Sequence, residues 1–356
     1  MKEATTMVVV GSDVHKRTHT FVAVDEVGRK LGEKTVKADS KGHDKAISWA
    51  RERFGAELLW AIEDCRHLSA RLELDLLDAG EQVVRVPPKL MAEQRRTARS
   101  RGKSDPIDAL AVARAALREP DLPVATHDEA SRELKLLVDH REDLVRQRTA
   151  IINRFRWHLH RIDPTLDPTP RSLDRSKTRA WLREVLADLS GIDARLAREL
   201  LEDIEALTAR ANALEKEITA LVTDRAPVLL ELPGCGPLTA AKIVGETAGV
   251  DRFATEAKYA MHAGVAPIPA WSGRTNGRVR VNKSGNRQLN AALHRIAVTQ
   301  IRSEGLGRSY YRKRLDAGDS KTEALRALKR RLARVVFQTL KNNPSTRSAT
   351  GLAAAA

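Results

Sequence analysis

Four acidic residues have the chemistry and the placement that a metal-dependent reaction on a phosphodiester requires. They are Asp13, Glu63, Asp105 and Asp108. Such a reaction needs several carboxylates that converge within a few ångströms, because Mg²⁺ takes hard oxygen ligands and leaves positions for phosphate and water. Each acid alone is better explained as the polar end of a strand or as a helix cap. Together, acids at three separate strand or helix ends predict a site for Mg²⁺ or Mn²⁺.

Two details of this acidic set depend on local structure. Asp105 and Asp108 are three residues apart at the predicted start of a helix. We expect Asp105 to be the N-cap and Pro106 the first helical residue, so that both carboxylates lie on one face and share a metal. Asp64 is a rival to Glu63, and strand alternation, which points Asp64 to the opposite face, favours Glu63 without closing the choice.

A second candidate for chemistry is a serine that precedes a glycine, Ser272, at the head of a basic stretch. The cations that follow it are Arg274, Arg278, Arg280, Lys283 and Arg287. A nucleophilic serine must lose its proton, and its attack on phosphate needs nearby cations that neutralise the transition state. On sequence context alone, Ser272 is more often a turn residue, and Ser284, which also precedes a glycine, is a fair competitor.

The elements that must position the acids alternate between strands and helices. Hydrophobic patterning predicts strands over 7–12, 18–25, 31–38, 58–62 and 82–86, and helices over 41–54, 68–77 and 106–117. The order is therefore βββαβαβα. With acids at the ends of the first and fourth strands and on the last helix, this order resembles the ribonuclease H fold of Holliday-junction resolvases and many transposases.

The middle of the chain has a helical pattern from 129 to 223, which three prolines interrupt at 163–170. One stretch has apolar residues at spacings of 4,3,4,3,4,3, which is typical of a coiled-coil seam of three heptads. The seam consists of Leu200, Ile204, Leu207, Ala211, Leu214, Ile218 and Leu221. Its partner is either the predicted helix over 131–160 or the same segment of a second protomer.

Next to this segment, Pro233-Gly234-Cys235-Gly236 precedes an apolar helix, a pattern typical of a helix-hairpin-helix. We expect Gly234 and Gly236 to take positive φ and to expose backbone amides to a DNA phosphate. A glycine-capped helix turn explains the same residues equally well. The predicted domains are 1–125, 126–226 and 227–344, with a disordered tail over 345–356.

The charge of the chain indicates a polyanionic partner. Lys and Arg number 62 against 47 Asp and Glu, for a formal net charge of +15. Residues 271–350 hold 19 of these cations and 4 of the acids. A smaller basic island over 89–104 includes Arg95, Arg96, Arg99 and Arg101.

Cysteine usage and hydropathy bear on the compartment. The two cysteines lie far apart and outside any Cys/His cluster, and the sequence has no membrane-length apolar run. We therefore expect a soluble protein of a reducing cytoplasm.

Several motifs together are similar, nearly end to end, to the DEDD-type transposases of the insertion sequence 110 family. They are Asp13-Val14-His15-Lys16, Glu63, Asp105-x-x-Asp108, Leu232-Pro233-Gly234-Cys235-Gly236, Ala263-Gly264-Val265-x-Pro267, Ser272-Gly273 and Lys283-x-Gly285-Asn286. The resemblance implies a ribonuclease H-like α/β domain with the four acids, an α-helical coiled-coil connector, and a mainly α C-terminal transposase domain with a helix-hairpin-helix-like segment. It assigns the catalytic serine to Ser272 and not to Ser284.

One stretch departs from the family pattern. Relatives often carry Thr-Gly and an aromatic shortly after the glutamate, where this chain has Asp64, Cys65, Arg66 and His67. The departure leaves Glu63 and Asp64 as alternatives for the second acid.

The resemblance also implies a reaction and its partners. Ser272 would cleave donor and target DNA through a phosphoserine-linked intermediate, with Mg²⁺ bound by the acids. Composite sites built from different protomers imply a homo-oligomer, from a dimer to a tetramer, and a structured noncoding RNA would guide the enzyme by base pairing. The alternative function is a metal-dependent, structure-specific endonuclease of the Holliday-junction resolvase type that uses water. A non-enzymatic basic nucleic-acid-binding protein is a third, weaker interpretation.

Overall fold

The computed structural model describes residues 7–63, 66–87, 90–91, 94, 104–119, 122, 124–125, 129–272, 279–281 and 285–343. These residues belong to two compact units. The first unit comprises the chain up to Asp128 and the segment Asp251–Lys258, and the second comprises Glu129–Val250 and the chain from Tyr259 onward.

A five-stranded mixed sheet forms the centre of the first unit. Its strands are β1 (Val8–Val14), β2 (Thr18–Val24), β3 (Lys30–Lys37), β4 (Leu58–Glu63) and β5 (Gln82–Val86). Their order is β3-β2-β1-β4-β5, with antiparallel pairing among the first three strands of the chain and parallel pairing from β1 through β4 to β5. The predicted strands are all present. β1 and β4 run past their predicted ends, so that Asp13 and Glu63 lie within the last residues of their strands.

Helices cover both faces of this sheet. They are α1 (Ser40–Phe54), α2 (Arg66–Asp78) and α3 (Asp105–Arg118). Alternate residues of the central strands separate two cores, because successive side chains of a strand point to opposite faces. Val10, Trp60 and Ile62 belong to the core beneath α1 and α2, whereas Val9 and Ala61 belong to the core beneath α3.

Helix α3 lies directly against β1 at Gly11. A Cβ atom on Gly11 would lie 2.2 Å from the carbonyl oxygen of Ala109 and 2.4 Å from the amide nitrogen of Ala113. The small residues on this face of the helix therefore allow backbone to approach backbone. This contact sets the height of the first turn of α3 over the end of β1.

The second unit is mainly helical. Its long helices are α4 (Glu129–Ile162), α5 (Ser176–Ala187) and α6 (Ile192–Arg225), with short 3₁₀ turns at Pro164–Leu166 and Ser172–Asp174. The chain continues with α7 (Pro227–Leu230), α8 (Pro237–Thr247), α9 (Glu256–His262), a β-hairpin of β6 (Pro267–Pro269) and β7 (Val279–Val281), α10 (Arg287–Arg302), α11 (Leu306–Asp316) and α12 (Lys321–Asn342). The predicted break at the three prolines falls between α4 and α5.

The predicted heptad seam packs against α4 of the same chain. Leu207 and Ala211 of α6 form a buried cluster with Leu144 of α4. Arg141 pairs with Glu215 at 2.5 Å, and such contacts between early α4 and late α6 show that the two helices run antiparallel. The intramolecular partner is therefore the observed one. A contribution of this segment to oligomerisation stays a prediction.

Within the described part of the chain, no helix combines the length and the apolar composition needed to cross a lipid bilayer.

Replacing Gly11 with alanine is expected to destabilise the first unit. The added methyl group overlaps the backbone of α3, and overpacking of this kind costs about 3 kcal/mol in the free energy of unfolding. Urea denaturation followed by circular dichroism measures the change. Gly236→Ala is the control, because Gly236 has φ of −77° and a Cβ there would meet nothing within 4 Å. Equal stability of Gly11→Ala and the wild type would show that α3 does not approach β1 as described.

Candidate active site

The carboxyl ends of two neighbouring parallel strands bring Asp13 and Glu63 together. The register pairs Ser12 of β1 with Ile62 of β4, so the next residue of each strand is an acid. Ser12 Oγ also donates a hydrogen bond to the carbonyl oxygen of Ala61 at 2.8 Å, which ties the strands at this level. Because Ala61 faces α3, alternation places Glu63 on the α3 side, together with Asp13. Asp64, its rival, lies outside the described residues.

The first turn of α3 supplies the other two acids, with a different cap from the one expected. Ser104 is the N-cap, Asp105 is the first helical residue and Pro106 the second. The carbonyl oxygen of Ser104 accepts hydrogen bonds from the amides of Ile107 and Asp108. The prediction that Asp105 caps the helix is therefore wrong, since Ser104 closes the first backbone hydrogen bonds. The side chain of Ser104 itself makes no cap hydrogen bond.

A histidine that was not predicted as a site residue lies between the strand acid and the helix acid. His15 Nε2 is 3.1 Å from Asp13 Oδ2 and 3.4 Å from Asp105 Oδ1. Asp13, His15 and Asp105 each offer a ligand atom, and these atoms all lie within 4.8 Å of one another. The signal in the sequence was the spacing, since His15 follows Asp13 by two residues and shares its side of the strand.

The electrostatics of the cluster favour a cation. Burial raises the pKa of Asp13, and the nearby carboxylates of Asp108 and Asp105 raise it further, whereas His15 lowers it. Asp108 is itself buried. Burial and the two neighbouring carboxylates oppose the negative charge of Asp13, so a divalent cation at this position would stabilise it. Carboxylate oxygens are the ligands that Mg²⁺ and Mn²⁺ prefer. The donor set therefore fits a divalent metal.

In the second unit, Ser272 lies on the loop between β6 and β7. The strands pair in antiparallel fashion, with Pro269 opposite Val279 and Ile268 opposite Arg280. Ser272 and Arg280 are both exposed. The serine lies three residues past the end of β6.

The segments that contain Gly264 and Gly285 meet at the base of this hairpin. A Cβ atom on Gly285 would lie 2.2 Å from the Cα of Gly264, so the two glycines meet backbone to backbone. The amide of Asn286 donates to the carbonyl oxygen of His262 at 2.6 Å. Asn290 Nδ2 donates to the carbonyl oxygens of Ala263 at 3.1 Å and Gly264 at 2.9 Å.

A buried acid on α8 supports the same base. Glu246 is 2 % exposed, and its carboxylate accepts hydrogen bonds from Lys135 Nζ at 2.5 Å and from Asn286 Nδ2 at 2.6 Å. Asn286 also caps α10, since its Oδ1 accepts from the amides of Gln288 and Leu289. A charge-assisted network thus fixes the chain that enters and leaves the serine hairpin.

The glycine turn before α8 is only partly as predicted. Gly234 has φ of +85°, as expected, but Gly236 has φ of −77° and is the N-cap of α8. The expectation of positive φ at Gly236 is wrong, because an N-cap takes extended backbone that any residue adopts. A Cβ atom on Gly234 would lie 3.0 Å from Thr299 Cβ, so this turn packs against α10.

Several predicted contacts to nucleic acid lie outside the described residues, as does the competing serine, Ser284. They are Arg95, Arg96, Arg99 and Arg101 of the basic island, and Arg274, Arg278 and Lys283 near the serine. Arg287, the first residue of α10, is described and exposed.

Comparison with known proteins gives matches along most of the chain. A transposase family model of the IS110 DEDD type matches residues 10–164, and a model described as "Transposase IS116/IS110/IS902 family" matches residues 226–312. The 44.8 kDa protein of insertion element IS116 from Streptomyces clavuligerus is 29 % identical, with 94 % of each chain covered. The 42 kDa protein of insertion element IS900 from Mycobacterium paratuberculosis is 28 % identical, with 97 % of this chain and 98 % of that protein covered.

Among solved structures, T. thermophilus RuvC in complex with a Holliday junction substrate covers 32 % of this chain and 94 % of its own. The sequence identity is 17 % and the TM-score is 0.26.

Replacing Asp13 with asparagine is expected to remove Mn²⁺ binding and to stabilise the metal-free protein. The substitution deletes one of the crowded carboxylates, so the affinity for Mn²⁺ falls by at least about tenfold while repulsion within the cluster decreases. Titration calorimetry and thermal melting measure the two effects. Asp44→Asn, at an exposed position of α1, is the matched control and should bind Mn²⁺ like the wild type. Unchanged affinity in Asp13→Asn would exclude this cluster as the metal site.

Proposed function

Because this chain belongs to the IS116/IS110/IS902 family of transposases, we propose that it cuts and rejoins DNA through a covalent bond to Ser272. As a transposase it is an enzyme that cleaves and transfers DNA strands. The observation that carries the proposal is the convergence of Asp13, His15 and Asp105 at the end of β1, within reach of one cation. Residues of both units take part in the proposed cleavage and rejoining.

We assign the first unit to the ribonuclease H-like fold. Support comes from its mixed sheet in the order β3-β2-β1-β4-β5 and from the acids at the ends of β1 and β4. In this assignment Asp13, Glu63, Asp105 and Asp108 would hold Mg²⁺ or Mn²⁺. Such a cation supplies Lewis acidity, which favours the deprotonated nucleophile and offsets the charge that develops on phosphate.

The bond changes in the proposed reaction balance without hydrolysis. Ser272 Oγ loses its proton and attacks a backbone phosphorus, and the bridging phosphorus–oxygen bond breaks to leave a strand end with a hydroxyl group. In the reverse sense, a hydroxyl group of another strand attacks the phosphoserine and Ser272 Oγ leaves. Because the phosphodiester is exchanged and not hydrolysed, rejoining needs no external energy source.

The exposure of Ser272, on the loop between β6 and β7, suits a nucleophile that must reach a DNA backbone. The contact between Gly264 and Gly285 and the hydrogen bond between Asn286 and Glu246 restrict the conformations of the hairpin base. Less conformational entropy is therefore lost when Ser272 is positioned for the reaction. We propose that the acids of one protomer act with Ser272 of another in a homo-oligomer, from a dimer to a tetramer. The acids and the serine belong to different units of the fold, which is compatible with such a composite site.

We further propose that a structured RNA guides the enzyme to donor and target DNA. The support is the charge of the last part of the chain, with 19 Lys and Arg against 4 Asp and Glu over 271–350, which suits backbone binding and leaves sequence reading to base pairs. Sequencing the RNA that copurifies with the protein tests this, and a single structured species is the expected finding.

A second candidate function is a metal-dependent junction endonuclease in which water attacks the phosphate. The observation that favours it is that the first unit carries all four acids by itself, with no residue taken from the second unit. In that case the second unit would only bind nucleic acid.

Ser272→Ala is expected to abolish a covalent protein–DNA adduct. The alanine has no oxygen to attack phosphorus, so the adduct formed by the wild type with Mg²⁺ and labelled DNA should fall by at least about a thousandfold. A denaturing gel, with and without protease, detects it. Ser309→Ala, at an exposed position of α11, should behave like the wild type.

Two outcomes would contradict this prediction. An adduct that persists in Ser272→Ala would assign the nucleophile to another residue. Cleavage by the wild type with no attached protein would support the hydrolytic candidate.

A further inference from the structure

Helices α10 and α12 of the second unit place a half-buried lysine beside other cations. Lys329 Nζ donates a hydrogen bond to Asn290 Oδ1 at 2.8 Å. Among the residues that the structure describes, no carboxylate oxygen lies within 4.0 Å of Lys329 Nζ. Within the described part of the chain, the partner of its ammonium group is therefore a neutral amide oxygen.

Burial and a neighbouring arginine both disfavour the charged form of Lys329. Burial lowers the pKa of Lys329, and the positive charge of Arg326 lowers it further. Burial likewise lowers the pKa of His294, and Lys329 adds to the effect. Arg326 and Lys329 are three residues apart on α12, and Asn290 and His294 are four apart on α10, so each pair shares one helix face. The hydrogen bond from Lys329 to Asn290 joins these two faces and brings the three basic side chains to one place.

Another buried lysine of the same unit shows how the fold neutralises such a charge. Lys242 is 3 % exposed in its side chain, and its Nζ lies 2.9 Å from Asp139 Oδ1 and 2.8 Å from Glu142 Oε2. The carboxylates outweigh burial there and raise the pKa of Lys242. Unlike Lys242, Lys329 therefore has no carboxylate partner among the described residues to offset its charge.

The basic cluster is connected to the serine hairpin through one residue. Asn290, which accepts from Lys329, donates with its Nδ2 to the carbonyl oxygens of Ala263 and Gly264. Those carbonyls belong to the segment that leads into β6. An anion at Lys329 would therefore lie beside the base of the hairpin that carries Ser272.

We propose that His294, Arg326 and Lys329 bind a backbone phosphate of the DNA strand that Ser272 cleaves. The identity of the bound strand rests on the proposed function, whereas the phosphate site itself rests only on residues of the second unit. Arg326 and Lys329 supply charge and N–H donors, which suit the oxygens of a phosphodiester. His294 supplies a ring N–H donor, which an imidazole has in both its neutral and its charged form. The site reads the backbone and not the bases.

The test is equilibrium binding of a short random-sequence DNA duplex by the full chain in EDTA, at a series of salt concentrations. Lys329→Gln keeps a donor for Asn290 and removes the charge. We expect its affinity to fall about tenfold at low salt. The plot of log affinity against log salt should also become less steep by about one, as expected for the loss of one phosphate contact. Lys321→Gln, an equal change of charge at an exposed position of the same helix, should stay within about twofold of the wild type.

Two more variants guard against a loss that is merely structural. Lys329→Arg keeps the charge and should restore binding. Arg326→Gln changes an exposed residue and should weaken binding with the same loss of slope. If Lys329→Gln fails to fold, the Arg326→Gln result decides the matter.

The proposal is overturned if Lys329→Gln and Arg326→Gln both bind DNA like Lys321→Gln. It is overturned as well if they lose affinity only for an RNA hairpin measured in parallel. Because the assay contains no metal and needs no cleavage, it can succeed even where Ser272→Ala shows the nucleophile assignment to be wrong. Failure of the phosphate site and failure of the proposed function are therefore distinguishable.

Discussion

Helix α3 runs against β1 at a separation that Gly11 makes possible, since a side chain at that position would enter the helix backbone at Ala109 and Ala113. This contact determines where the first turn of α3 lies. Asp105 and Asp108 consequently project over the end of β1, where Asp13 stands next to the last residue of β4. The metal chemistry proposed for the chain depends on this packing of backbone on backbone, because side-chain carboxylates converge only as closely as the elements that carry them.

The acidic cluster at the end of β1 and the network below the serine hairpin treat buried charge in opposite ways. In the second unit, Glu246 is matched by Lys135 and Asn286, and Lys242 is matched by two acids, so these groups stabilise the platform below the serine hairpin. In the first unit, carboxylates are packed near one another, and burial and repulsion raise the pKa of Asp13. An arrangement that opposes its own charge is typical of a functional site, whereas a balanced network is typical of a scaffold.

The local pattern of hydrophobic residues in the sequence is sufficient to predict the strands and the sheet face on which the acids lie. Period-two alternation places Asp13 and Glu63 on the α3 side, and the parallel register makes them neighbours. The cap of α3 could not be assigned in the same way, because Ser104 and Asp105 are both good cap residues and only backbone geometry chooses between them. The heptad seam specified a face of α6 but not its partner. The meeting of Gly264 and Gly285, distant in sequence, has no local signal at all.

The proposed chemistry requires a divalent cation among the acids at the end of β1 and the start of α3. The most direct measurement is the anomalous diffraction of Mn²⁺ in crystals of the full chain. We expect a peak within coordination distance, about 2.2 Å, of Asp13 and of at least one carboxylate of α3. A protein that binds Mn²⁺ in solution but shows its peak away from Asp13, or no ordered peak in the first unit, would contradict it.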